Sequence, residues 1–131
     1  MASLGALGTD YVDLVLLHFP QCFPGVCSEE ESARSMRAGG WRASWAALQE
    51  LQKQGAILAC GVSNFDLVND LDTVRPRPLV VQGWSDALHQ DRNLRLWAQR
   101  HGVAYVAMSP LGGPADGSGP RQRGRNPVFQ R

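Results

Sequence analysis

Three short apolar runs, each closing on small or polar residues, restrict what this chain can fold into. Val12-Asp13-Leu14-Val15-Leu16-Leu17 runs into His18. Ile57-Leu58-Ala59-Cys60-Gly61-Val62 runs into Ser63-Asn64-Phe65. Val103-Ala104-Tyr105-Val106-Ala107-Met108 runs into Ser109-Pro110-Leu111-Gly112. Runs this short, apolar without strict alternation and rich in β-formers, read as buried parallel strands. Parallel α/β folds place their chemistry at the carboxyl ends of such strands, where these polar residues stand.

Helical segments separate the runs. Over Trp41 to Gln54, Trp41, Trp45, Leu48 and Leu51 or Gln52 recur at helical spacing, and Gly55 supplies the stop. The two tryptophans read as core packing rather than a ligand box. Asp91 to His101 repeats the pattern with Leu94, Trp97 and Ala98, stopped by Gly102. Ser3 to Gly8 reads as the end of a helix. Asp66 is placed to cap a short helix over Leu67 to Leu71. Arg75-Pro76-Arg77-Pro78 is a stiff connector into a further short strand, Leu79 to Val81 leading into Gln82. Residues 19–40 read as a long loop with Pro20, Pro24, Gly25, Gly39, Gly40 and the acidic run Glu29-Glu30-Glu31. A loop of that length inside a compact α/β unit is unusual and often functional, and a variable surface insertion is the plainer alternative. The order strand, helix, strand, helix, strand, helix, strand implies a parallel sheet with right-handed crossovers.

The chain has 131 residues, enough for one domain with a core. A complete (β/α)₈ barrel takes about 250. A formal net charge of +1, from 13 basic and 12 acidic residues, calls for no nucleic-acid or membrane partner. No apolar stretch is long enough to span a bilayer and no secretory leader opens the chain, so a cytoplasmic location is expected. Reduced Cys22, Cys27 and Cys60 fit that location; a Cys22–Cys27 disulfide is the less favoured alternative. The cysteines lack the pairing and fourth ligand of a zinc site, and no metal is expected. Residues 113–131 form a Gly/Pro/Arg-rich tail expected to hold little fixed structure, leaving 1–112 as the folded domain.

The phrase Leu7-Gly8-Thr9-Asp10-Tyr11-Val12-Asp13-Leu14-Val15-Leu16-Leu17-His18 resembles the strand-four phrase of the aldo-keto reductase family. Trp45-Ala46-Ala47-Leu48-Gln49-Glu50-Leu51 through Gly61-Val62-Ser63-Asn64-Phe65, and the Met108-Ser109-Pro110-Leu111-Gly112 turn, are similar to later phrases of the same family, in the same order. The resemblance covers about residues 3–112. It implies a partial (β/α)₈ TIM barrel: four parallel strands with flanking helices, corresponding to strands four to seven of eight. The reaction it implies is NADPH-dependent reduction of aldehydes and ketones, with a small carbonyl compound as substrate.

Residue by residue, the resemblance makes His18 the family histidine that orients or donates to the carbonyl oxygen. It makes Ser63, Asn64 and Gln82 the groups that hydrogen-bond the nicotinamide carboxamide, which needs both donors and acceptors. Val81 stands where the family has an asparagine. Met108 stands where the family commonly has a tyrosine stacked on the nicotinamide ring, and can touch that ring only through sulfur and methyl. Ser109, Pro110 and Leu111 match a loop around the pyrophosphate. The family's proton-donating tyrosine and its lysine and aspartate are not matched. Lys53 is the sole lysine and falls on the solvent side of a helix; Tyr11 and Tyr105 lie outside the family's tyrosine segment.

Apart from the resemblance, each of these residues has a bland role: His18 satisfied by loop backbone, Ser63 and Asn64 as a polar turn. The expectation is a truncated, aldo-keto-reductase-like oxidoreductase domain that keeps a cofactor face and is inactive alone. The alternative is a non-catalytic interaction module that pairs with itself, or with a complete family member, through open barrel edges. A doubly wound nucleotide-binding domain ranks last, because no Gly-x-Gly-x-x-Gly follows any run.

Overall fold

The apolar runs pair side by side in chain order. In the computed structural model, which describes residues 2–20, 27–37, 39–67 and 70–112, the elements are α1 (Ala2–Leu7), β1 (Val12–Leu17), α2 (Glu29–Arg37), α3 (Gly40–Lys53), β2 (Ile57–Ser63), β3 (Val80–Trp84), α4 (Arg92–His101) and β4 (Ala104–Met108). The sheet order is β1-β2-β3-β4 and every pairing is parallel. The register runs from Val12 opposite Ile57 to Leu17 opposite Val62, then Ser63 opposite Gln82, then Trp84 opposite Met108. This register brings the carboxyl ends of all four strands to one rim.

One face of the sheet is covered by α3 and α4. Cys60, Val62 and Val81 point toward Trp41, Trp45, Leu94 and Trp97, and all of them are buried. The other face is the open one, with Leu14 and Val106 each 40% exposed. Parallel strands normally bury both faces, so this sheet gains its burial on one side only. Gly55 and Gly102 end α3 and α4 with φ of 79° and 67°, as stops in the left-handed region must.

Three expectations differ from the structure or fall partly outside the described residues. Residues 19–40 are not one loop, because α2 occupies Glu29–Arg37. Its start is a reciprocal cap: the Glu31 amide donates to Ser28 Oγ (3.2 Å), and the Ser28 amide donates to Glu31 Oε2 (2.8 Å). Ser28's backbone N–H, and then its hydroxyl, hold the Glu31 carboxyl below the usual range. Glu29–Glu31 in the first turn and Arg34 and Arg37 in the last also oppose the helix dipole favourably. Second, the short helix expected over Leu67–Leu71 includes residues 68–69, which lie outside the described residues; a 3₁₀ turn follows at Leu71–Thr73. Asp70 Oδ2 accepts from the Asp66 amide (3.2 Å), so Asp66 is itself held by the residue that precedes the turn. Third, Cys27 is disulfide-bonded, whereas Cys60 is a buried free thiol. Cys60 lies in β2 with its Sγ directed at the Leu48 carbonyl (3.7 Å), which holds it in the core. Cys22 and the 113–131 tail lie outside the described residues.

Tyr105 sits on the covered face of β4, with its hydroxyl 3.3 Å from the Gly83 carbonyl and 3.1 Å from Asp91 Oδ2. Burial, aided by the Asp91 carboxylate, pushes this phenol from 10.0 up to about 12. The neutral form is therefore favoured in the folded state. Below pH 10 both states are protonated and the contribution is whole. Between about pH 10 and 12 the unfolded chain loses its proton first, and stability falls. Urea melts across that window are expected to show a decline that is shallower in Tyr105→Phe. Equal slopes would contradict this account of Tyr105.

Candidate functional site

The polar residues that close β1, β2 and β3 meet at the carboxyl rim. Asn64 follows β2 with φ of 58°, a left-handed conformation that asparagine tolerates better than most side chains. That turn lets its Nδ2 donate both to the His18 carbonyl (3.0 Å) and to Ser63 Oγ (3.1 Å). Ser63 Oγ in turn donates to Gln82 Oε1 (3.1 Å). The Asn64 backbone N–H donates to the Gln82 carbonyl (3.2 Å), locking the same two strand ends together. His18, Asn64, Ser63 and Gln82 thus form one hydrogen-bonded chain across three strands.

The four do not present themselves alike. Ser63 is 1% exposed, with its hydroxyl engaged as donor and acceptor, so it positions Asn64 and Gln82 rather than facing a ligand. Among the described residues, no hydrogen bond engages Asn64 Oδ1 or Gln82 Nε2. One acceptor and one amide donor are left, on two side chains that share Ser63 Oγ as a partner. A primary carboxamide offers the reverse set, a carbonyl acceptor and N–H donors, so this pair fits the nicotinamide end of the implied cofactor. The His18 ring is exposed and stands against Phe19, with ring centres 4.1 Å apart.

Met108 ends β4 half-buried, opposite Trp84. Ser109 follows with φ of 52°, and its carbonyl accepts from the Gly112 amide (2.9 Å), making the turn that carries Pro110 and Leu111. Leu111 is 67% exposed. Asn64 and Ser109 are two of the three non-glycine residues with positive φ among the described residues. Strained backbone gathers at functional rims more than elsewhere.

The residues that sequence reading set aside are indeed elsewhere. Lys53 lies on α3, exposed, 3.4 Å from Glu50. Tyr105 is on the covered face and Tyr11 precedes β1. Sequence reading missed Trp84 and His89, whose rings stack at 4.4 Å with an interplanar angle of 7°. The signal was available: Trp84 is two residues beyond Gln82 and so shares its face of β3.

A parallel sheet covered by helices on one face, with its polar cluster at the carboxyl rim, is the arrangement of part of a (β/α)₈ barrel. The model of the aldo/keto reductase family matches residues 1–125, and the chain belongs to that family. It is 34% identical over 113 residues to the 7-acetyl-epi-neemfruitin B aldo-keto reductase of Melia azedarach, covering 84% of this chain and 35% of that protein. It is 35% identical over 123 residues to the NAD(P)H-dependent D-xylose reductase of Scheffersomyces stipitis, covering 84% of this chain and 39% of that one. A Bombyx mori aldo-keto reductase solved in complex with NADP superposes with a TM-score of 0.66 at 27% identity, over 82% of this chain and 34% of the other. The chain thus spans little more than a third of the length of these relatives. No helix among the described residues is long and apolar enough to cross a membrane.

Proposed function

We propose that this chain carries the nicotinamide-facing part of an NADP(H)-dependent aldo-keto reductase site, and that by itself it does not reduce carbonyl compounds. The observation that carries the reading is the Asn64–Gln82 pair, fixed from behind by Ser63, with one free acceptor and one free amide donor. Asn64 Oδ1 would accept from the carboxamide N–H₂ and Gln82 Nε2 would donate to its carbonyl. Met108 would lie against the ring, and the Ser109–Leu111 turn against the pyrophosphate. A bound dihydronicotinamide supplies a hydride. This chain's own share would be to bind and orient, with His18 as the group that would donate to a carbonyl oxygen.

Proton donation needs an acid whose pKa is tuned to the task. Among the described residues, no tyrosine, lysine or aspartate matched to the family's stands beside His18. The expected result is no loss of NADPH absorbance above background with a broad aldehyde panel. Turnover that disappears in His18→Ala would overturn the reading of inactivity.

A second reading rests on the two sheet edges. β1 and β4 are the outer strands, and the open face carries Leu14 and Val106. Unpaired edges and apolar faces invite association. An interaction module would give a defined dimer in light scattering, whereas an unprotected sheet would give polydisperse aggregate.

A further inference from the structure

We infer that the stacked pair Trp84 and His89 is a platform for the nicotinamide ring, supplying the aromatic contact that Met108 does not. This rests on the cofactor reading above and adds a residue to it. A carboxamide is bonded directly to its ring, so a carboxamide held by Asn64 and Gln82 leaves the ring a few ångströms from Gln82. Trp84 follows on the same face of β3, about 7 Å further along the strand. It also stands opposite Met108 on β4, whose strand lies about 4.8 Å away.

Trp84 differs from the other tryptophans of the chain. Trp41, Trp45 and Trp97 are 9%, 3% and 8% exposed and belong to the core. Trp84 is half-buried, outside that core, and covered on one side by the His89 imidazole at 4.4 Å. The loop holding His89 is tight. Asp86 Oδ1 accepts from the Leu88 and His89 amides, each at 2.8 Å, and the Asp86 amide donates to the His89 carbonyl (2.7 Å). The imidazole is thereby fixed against one indole face, and the indole is oriented before any ligand arrives. Preorganised aromatic surface gives affinity at low entropic cost. An indole face also attracts cations, so the positively charged oxidised ring is the better guest.

The test uses the full chain with ¹⁵N-labelled tryptophan, titrated with NADP⁺, and NMR detection of its indole N–H signals. The Trp84 signal is identified by its loss in Trp84→Phe. It is expected to shift with NADP⁺ while the three core signals hold still. The same nucleotide lacking its nicotinamide ring should leave it unmoved. Trp84→Ala should weaken NADP⁺ binding by about fivefold or more, and Trp84→Phe by about twofold or less, since stacking on an aromatic face is worth roughly 1–3 kcal/mol. Binding that shifts other amides and depends on Asn64 but leaves the Trp84 signal still would overturn the platform and spare the cofactor reading. Absence of any NADP⁺-induced shift would overturn both.

Discussion

Trp45→Ala is expected to abolish cooperative folding, or to leave a chain that melts in very little urea. Trp45 is 3% exposed in α3, at the centre of the layer between that helix and the sheet. Truncating a buried tryptophan typically costs about 3–5 kcal/mol through lost contacts and a residual cavity. Small domains hold roughly 5–15 kcal/mol in total, and this sheet buries only one face. The cost is one of packing alone, because the Trp45 indole N–H has no hydrogen-bond partner among the described residues. Trp97 is the contrast: its Nε1 donates to Asp72 Oδ1 at 2.9 Å. Trp97→Phe should therefore lose a hydrogen bond worth about 0.5–1.5 kcal/mol on top of its packing. Trp45→Phe loses no such bond. A Trp45→Ala chain with an unchanged urea midpoint would contradict this view of the core.

The second large effect is at Gly61. An added Cβ there would lie 2.5 Å from Leu16 Cδ2, 2.6 Å from the Val80 carbonyl oxygen and 3.0 Å from Val80 Cβ. Leu16 can rotate away, but the Val80 carbonyl belongs to the neighbouring strand at the start of the β2–β3 pairing. Relief means separating the strands just before Ser63 meets Gln82. Overpacking commonly costs about 1–3 kcal/mol, so Gly61→Ala should cost at least that much and Gly61→Val more. Gly5→Ala is the control, because a methyl group added to Gly5 in α1 would meet nothing within 4 Å. It should be neutral or slightly stabilising. Equal urea midpoints for Gly61→Ala and Gly5→Ala would remove the close-approach argument.

What could be read from the sequence follows from what kind of signal each residue leaves. The parallel sheet was legible because a strand buried between layers is a continuous apolar run, and runs such as Val12–Leu17 cannot be satisfied alone. Gly55 and Gly102 marked helix ends because a left-handed stop favours glycine. α2 went unread because its face is almost wholly polar and gives no apolar stripe. Its signature was instead Ser28 with Glu31 three residues later, hidden inside an acidic run that resembled a solvated loop. The disulfide at Cys27 leaves no local pattern beyond the presence of a second cysteine. At the rim, the residue types of His18, Asn64 and Gln82 were legible, but their connectivity was not. That Ser63 faces Gln82 depends on the register between β2 and β3, and that Trp84 stacks on His89 depends on the turn built by Asp86.

If Asn64 and Gln82 hold a nicotinamide carboxamide, the chain's affinity for the cofactor depends on Asn64. Calorimetric titration of the chain with NADPH tests it most directly. Weak binding is expected, near millimolar or about −4 kcal/mol, with a further loss of roughly two- to tenfold in Asn64→Ala, the worth of about one neutral hydrogen bond. Micromolar binding that is unchanged in Asn64→Ala would contradict it and place the cofactor elsewhere on the chain.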